Sequence, residues 1–324
     1  MSAGATRRRL PLTVVAVAAA LLLGLIASGT ASAATTLRIA YNPNPTNTTI
    51  VVAQEQGYFA QNGLNVTLTA SEDTAPLVSA IGKQFDLVTV TPTSVLQAAA
   101  AGLKPILVSG ETYETDGLRS TYLIGGTGIT SLADLKGKTV GVVGLSGVLY
   151  DSLLIQLHDA GIKASQVKFL VVPFPDMFAD LQSGTIQAAL TIYPFQGQML
   201  GSGGNDLGNP IEETVHDQPM MDAGWVGYKP WIEKHLSAIK AFEKAQGEAL
   251  AWLNNPANAS AAQAILVNDF QIPAFVAKTY LITSYVSFGV SSSDLAPWVK
   301  PMESAGLLKK GAVKKVSSLV LGKL

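Results

Sequence analysis

The segment Ser131 to Gly147, SLADLKGKTVGVVGLSG, constrains this chain more than any other stretch. It reads as a short helix, a glycine turn, a buried strand, and a second glycine turn that opens another helix. Thr130 or Ser131 suits the cap of the first helix, and Gly137 suits its end. Thr139 to Val143 is a β-branched apolar run, the pattern of a strand buried on both faces in a mainly parallel sheet. Gly144, Ser146 and Gly147 then lead into a helix beginning near Val148. A glycine turn feeding a helix start presents backbone N–H groups that suit an anionic or polar ligand. One segment therefore carries both a fold marker and a candidate binding loop.

The first 33 residues read as an export address. Arg7, Arg8 and Arg9 form a basic start, Thr13 to Ile26 is an apolar stretch of 14 residues, and Ala31-Ser32-Ala33 fits a small-x-small cleavage site. The stretch is short of the roughly 20 apolar residues that a membrane span needs. Residues 1–33 are thus expected to be a cleaved signal peptide. Thr6-Arg7-Arg8-Arg9-Leu10 half-matches a twin-arginine signal, so both export routes stay open. The chain has no cysteine. Disulfides, thiolate metal sites, a cysteine nucleophile and a lipidated cysteine anchor are all excluded. The expected product is soluble, periplasmic or secreted. Without Arg7 to Arg9 the charge balance is 19 basic against 23 acidic residues, and only Arg38 and Arg119 remain as arginines. Nucleic-acid binders show a basic footprint that is missing here. His158, His216 and His235 share no ligand spacing, so no metal site is expected.

Strand and helix patterns alternate through the remainder. Strands are expected at Leu37–Tyr41, Val66–Thr69, Phe85–Val90 and Pro105–Ser109, with helices at Ile50–Gln61, Ala75–Gly82 and Ser94–Ala101. Thr121 to Ile124 then suits a crossing strand. Beyond the opening segment come a helix at Tyr150–Ala160, strands at Val167–Val172 and Ile186–Ile192, and a helix from Met177 capped by Asp176. Trp225 to Tyr228 suits a return strand. Helices follow at Pro230–Asn254, Ala259–Phe270, Pro273–Ile282 and Leu295–Gly306. This order predicts mainly parallel sheets covered on both faces.

Four passages resemble the substrate-binding proteins of ATP-driven importers, specifically the nitrate/sulfonate/taurine and thiamine-pyrimidine binding group. They are Gln56-Gly57-Tyr58-Phe59 with Gly63-Leu64-Asn65-Val66, then Ile129 to Gly141, then Asp176 with Leu181 to Ala189, and the helical tail after Lys229. Gln187 stands where the family usually has an acid. The resemblance implies a type II-like periplasmic binding protein of α/β class. Each of its two lobes is a mixed, mainly parallel sheet flanked by helices, and two crossover strands join them. Lobe one is expected at 37–121 plus 226–324 and lobe two at 122–225, with hinge closure around a small solute. It also implies a monomer, a membrane permease with its cytoplasmic ATPase as partners, no cofactor and no catalytic set. A pyrimidine-synthesising enzyme shares the fold, but it resembles a cytosolic type that uses cysteine and histidine. A ligand sensor is the other alternative.

Ligands in open α/β sheets bind beyond the carboxyl ends of strands. After the first strand that rule selects Tyr41, Asn42, Asn44, Thr46 and Asn47, whose amides and hydroxyls suit hydrogen bonding; a Pro/Asn turn with a helix cap explains them equally. After the third strand it selects Thr91 and Thr93, with capping as the alternative role for Thr91. After the fourth it selects Glu111 and Tyr113, although a solvated hinge charge paired with Arg119 also accounts for Glu111. Gly144, Leu145, Ser146 and Gly147 are the foremost candidates; they form neither a Walker loop nor a nucleophile elbow. Asp176 is a candidate that also reads as a helix cap, and Tyr193 and Phe195 suit ring stacking or packing between lobes. The candidate loops hold no arginine, while Glu111, Asp116 and Asp176 lie near. This balance favours a zwitterionic, heteroaromatic or organosulfur solute over nitrate.

Overall fold

Ten strands among the described residues assemble into two five-stranded sheets. In chain order they are β1 (Thr35–Tyr41), β2 (Leu64–Ala70), β3 (Leu87–Val90), β4 (Pro105–Glu114), β5 (Thr121–Gly125), β6 (Thr139–Val142), β7 (Lys168–Val171), β8 (Ala188–Ile192), β9 (Asn205–Asp206) and β10 (Met220–Tyr228). The structure is a computed structural model that describes residues 34–71, 75–115, 119–216, 219–278 and 286–322. The expected export segment, Asp116 and part of the helix expected at Pro273–Ile282 lie outside those residues.

The first sheet has the order β2-β1-β3-β10-β4 and the second β7-β6-β8-β5-β9. β1, β2 and β3 are parallel, as are β6, β7 and β8. β10 in the first sheet and β5 in the second are antiparallel to the strands on both of their sides. Each of these two is the strand with which the chain enters that sheet from the other. The sequence accounts for the layering. β3, β4 and β8 are buried along their whole length, as strands covered by helices on both faces must be. The edge strand β2 instead alternates, with Leu64 and Val66 inward and Asn65 and Thr67 outward.

The helices are α1 (Thr48–Glu55), α2 (Tyr58–Gln61), α3 (Ala75–Ala80), α4 (Pro92–Ala100), α5 (Val148–Asp159), α6 (Met177–Ser183), α7 (Gln196–Gly201), α8 (Pro210–Val215), α9 (Lys229–Ile232), α10 (Leu236–Leu253), α11 (Ala259–Phe270), α12 (Ala274–Ala277) and α13 (Ala296–Ser304). One core joins Leu37, Ile39, Leu87 and Trp225 to Ile50 of α1 and Phe242 of α10. Another joins Ala40, Val88 and Val226 to Leu96 of α4 and Trp298 of α13, and takes in Val148 and Ile155 of α5. Two further clusters cover the second sheet, one through Val140 and Leu190, the other through Ile124 and Ala189.

Several elements differ from the sequence expectation, among them the strand expected at Pro105–Ser109, which runs on to Glu114. The helix expected at Ile50–Gln61 is two helices, because Gly57 takes a left-handed φ of 72° between them. The helix expected at Pro230–Asn254 breaks after Ile232. There the His235 ring lies 4.0 Å from the Trp231 indole and its Nδ1 meets the Trp231 carbonyl at 2.7 Å. The Trp231 carbonyl accepts the Lys234 N–H at 3.0 Å and the His235 N–H goes to the Ile232 carbonyl at 2.9 Å, so the backbone bonds here tighten to three-residue turns. The return strand begins at Met220, with bulges around Ala223 and between Trp225 and Val226 that interrupt its pattern in the sequence. In the opening segment the Asp134 carboxylate accepts the N–H groups of Thr130 at 3.0 Å and Ser131 at 2.9 Å, and Gly137 takes a φ of 75°.

Candidate binding cleft

The carboxyl ends of β1 and β3 in one sheet, and of β6, β7 and β8 in the other, open onto one cleft of about 420 Å³. From the first sheet come Asn42, Asn44, Thr46 and Asn47 after β1, and Thr89, Val90 and Thr91 at the end of β3. From the second come Val143 to Leu149 after β6, Val171 and Phe174 around the end of β7, and Ile192 at the end of β8. Ser120 and Thr121 at the start of β5 and Asp222 and Ala223 on β10 complete it.

The first-sheet wall is a rigid amide ladder. Asn44 Nδ2 donates to Asn42 Oδ1 at 2.7 Å, Asn47 Nδ2 donates to the Asn42 carbonyl at 2.9 Å, and Asn44 Oδ1 accepts the Thr46 N–H at 2.9 Å. Asparagine serves here because its amide both donates and accepts within a turn. The second-sheet wall is apolar: Leu145 and Val171 are exposed, at 58% and 54%, and Phe174 is stacked on Phe195 with ring centroids 5.7 Å apart. Gly147 holds φ 87° and ψ 173°, a combination left almost wholly to glycine, and an added Cβ would lie 3.5 Å from the Thr91 side chain.

Direct bonds join the two walls. Thr91 Oγ1 accepts the Val148 N–H at 3.1 Å, and Gln97 Nε2 donates to both Asp151 carboxylate oxygens at 3.3–3.4 Å. Burial pushes the Asp151 carboxyl up to about 6, against hydrogen bonds from Thr93 and Gln97 that pull it down.

A buried acid lies beside these walls. Asp222 is 7% exposed, and its Oδ2 lies 2.9 Å from Ser120 Oγ. The same hydroxyl lies 2.6 Å from Glu114 Oε1. Glu114 also accepts the N–H groups of Ser120 at 3.0 Å and Thr121 at 2.6 Å, and the Asn209 side-chain amide. Burial, with the Glu114 charge adding to it, holds the Asp222 carboxyl well above the usual range. Asp222 Oδ1 and Asn47 Oδ1 are buried without a hydrogen-bond partner among the described residues.

Nine of the candidates from the sequence line this cleft: Asn42, Asn44, Thr46, Asn47, Thr91, Gly144, Leu145, Ser146 and Gly147. Seven do not. Tyr41 packs against the first-sheet core, and Thr93 is fully buried behind Thr91. Glu111 is fully buried in the first sheet. It accepts hydrogen bonds from Thr49 Oγ1, from Trp225 Nε1 at 2.6 Å and from Gln246 Nε2 at 3.0 Å. Burial raises its carboxyl to about 7. It is therefore neither a hinge charge nor the partner of Arg119, which instead grips Asp206 at 2.7 and 2.8 Å. Tyr113 is buried and donates to the Gly289 carbonyl at 2.9 Å. Asp176 stands exposed at the start of α6 without a side-chain capping bond. Tyr193 follows β8 outside the lining, and Phe195 lies behind Phe174 against apolar residues of both sheets. Asp222 and Ser120 were not among the sequence candidates. Asp222 is a lone acid within MMDAGWVGY, and a single charge in an apolar strand is the signal that marks it.

A family model described as "NMT1/THI5 like" matches residues 44–259. A protein of Haemophilus influenzae named for thiamine biosynthesis is 31% identical over 150 residues, 45% of this chain and 46% of that one, so the match spans about half of that relative. The taurine-binding periplasmic protein of Escherichia coli is 30% identical over 241 residues, 71% of this chain and 74% of that one. In fold, the chain is similar to the alkanesulfonate-binding protein SsuA of Xanthomonas axonopodis pv. citri bound to MOPS. The TM-score is 0.70 at 17% identity, covering 90% of this chain and all of that one.

Proposed function

The chain belongs to the NMT1/THI5-like family, and on that premise we propose that it is the extracytoplasmic solute-binding component of an ABC importer. Residues 37–121 with 226–324, and residues 122–225, act as two lobes that close on a small organic solute and deliver it to a membrane permease driven by a cytoplasmic ATPase. Residues 1–33 direct export and are removed, which leaves a soluble monomer. The observation that carries the reading is the cleft itself. Carboxyl ends of strands from both sheets converge on it, one wall offering amides and hydroxyls and the other apolar side chains. That pairing suits a compact solute with a polar end and an aliphatic or ring body. The cargo is sulfonate-like or pyrimidine-like, and the taurine-binding relative supports the first of these. The role is capture without conversion.

The test is a thermal-shift panel of taurine, alkanesulfonates, pyrimidines and nitrate on the purified protein. A ligand at about 100 times its dissociation constant adds roughly 2.7 kcal/mol to stability. A shift with at least one organic solute, recovered chemically unchanged, is expected. A solute consumed by the protein, or a panel in which nitrate alone binds, overturns the reading.

A further inference from the structure

We infer that Asp222 selects the cargo: the cleft takes a solute whose buried end is a protonated primary amine, seated against Asp222 Oδ1. This rests on the reading of the cleft as the solute site. Asp222 and Asn47, both residues of its lining, each carry a buried acceptor atom, Oδ1, with no hydrogen-bond partner among the described residues. Buried acceptors are costly to leave unpaired, and both lack the same thing, a donor. An ammonium group has three N–H donors and no acceptor, the complement of such an atom. The lining contains no lysine, arginine or histidine. An anion placed there would find no cationic side chain of the lining to pair with.

The hydrogen bonds also say how the site waits. Ser120 has one hydroxyl proton but two carboxyl neighbours, Glu114 Oε1 at 2.6 Å and Asp222 Oδ2 at 2.9 Å. Glu114 receives the Ser120 and Thr121 N–H groups and the Asn209 amide besides, and it is the nearer of the two to the Ser120 hydroxyl. The Ser120 proton therefore goes to Glu114. The Ser120–Asp222 contact is then made by a proton on Asp222, donated to Ser120 Oγ. Asp222 is then neutral. When an ammonium group arrives, Asp222 gives up that proton to solvent and becomes the counter-ion, so one cation is gained and one proton lost.

Titration calorimetry on wild type and Asp222→Asn tests this with two matched pairs: taurine against ethanesulfonate, and an aminomethylpyrimidine against the methylpyrimidine. In whichever scaffold binds, the amine is expected to bind at least tenfold more tightly than its partner. Asp222→Asn is expected to remove that preference while leaving the amine-free compound within threefold. The wild-type enthalpy should vary with the buffer's ionisation enthalpy in the sense of proton release. Equal affinity within the pairs, or no such buffer dependence for the amine in wild type, overturns the inference even if the variant does not fold. If only other solutes of the thermal-shift panel bind, and equally to both proteins, the inference falls and the binding reading stands. If nothing binds, both fall.

Discussion

Thr91 Oγ1 accepts the backbone N–H of Val148 at 3.1 Å, a hydrogen bond that ties the end of β3 in the first sheet to the first residue of α5 after the second sheet. Both residues line the cleft. The bond satisfies one of the N–H groups that every helix start leaves open. Thr91→Val keeps the shape and removes the acceptor. It is expected to cost about 1–2 kcal/mol, a fall of a few degrees in Tm for a chain of this order, read by thermal unfolding. An unchanged Tm would mean that water replaces the bond freely.

Gly147→Ala places a side chain where φ is 87° and ψ 173°. That region costs on the order of 1–3 kcal/mol for a residue other than glycine. The new methyl would touch Thr91 only at ordinary van der Waals distance, so the cost is the strain of the turn itself. The expected result is a loss of stability together with at least a tenfold loss of solute affinity. Gly144→Ala, where an added Cβ meets nothing within 4 Å, is the control expected to retain stability.

Glu111 gives a pH signature. Its carboxyl, raised from the ordinary 4.5 to about 7 by burial, holds its proton in the folded chain while the unfolded chain has released it. The folded state thus binds more protons between those two values, and this group's contribution falls as pH rises from about 4.5 to about 7. A shift of that size corresponds to roughly 3 kcal/mol. Glu111→Gln can keep one oxygen for Trp225 and Gln246 and turn its amide to the Thr49 hydroxyl. It is expected to be more stable than wild type at pH 8 and about equal near pH 4.5, by urea unfolding. Glu111→Leu strands the buried Trp225 and Gln246 donors and is expected to be destabilised at every pH.

Arg38 supplies a separate control for charge. It donates to Asp86 through its backbone N–H at 2.9 Å, Nε at 3.1 Å and Nη2 at 2.7 Å. It does not line the cleft. With Arg38 44% exposed, its side-chain ion pair contributes at most about 1 kcal/mol. Arg38→Ala is expected to leave solute affinity unchanged in the same calorimetric titration. A tenfold change would place part of the recognition outside the cleft.

What the sequence showed was what local chemistry decides. The β-branched run at Thr139–Val142, the glycine turn after it and the Asn42–Asn47 turn are each legible from a few neighbouring residues, and these turns lie at the cleft. Glu111 was misread because its setting is not local. β4 runs on, fully buried, to Glu114, and the partners of Glu111 lie 62, 114 and 135 positions away. Asp222 escaped for a topological reason. It sits within a strand that runs against its neighbours, so a rule based on carboxyl ends of parallel strands passes over it.

The central claim is that one small solute is held between the two sheets and released unaltered. Equilibrium binding of the tightest panel compound to wild type and to Leu145→Trp, which fills the cleft from an exposed position, measures this most directly. The account predicts saturable binding of about one solute per chain, full chemical recovery, and at least a tenfold loss in the variant. Conversion of the solute, or equal affinity in the filled cleft, would contradict it.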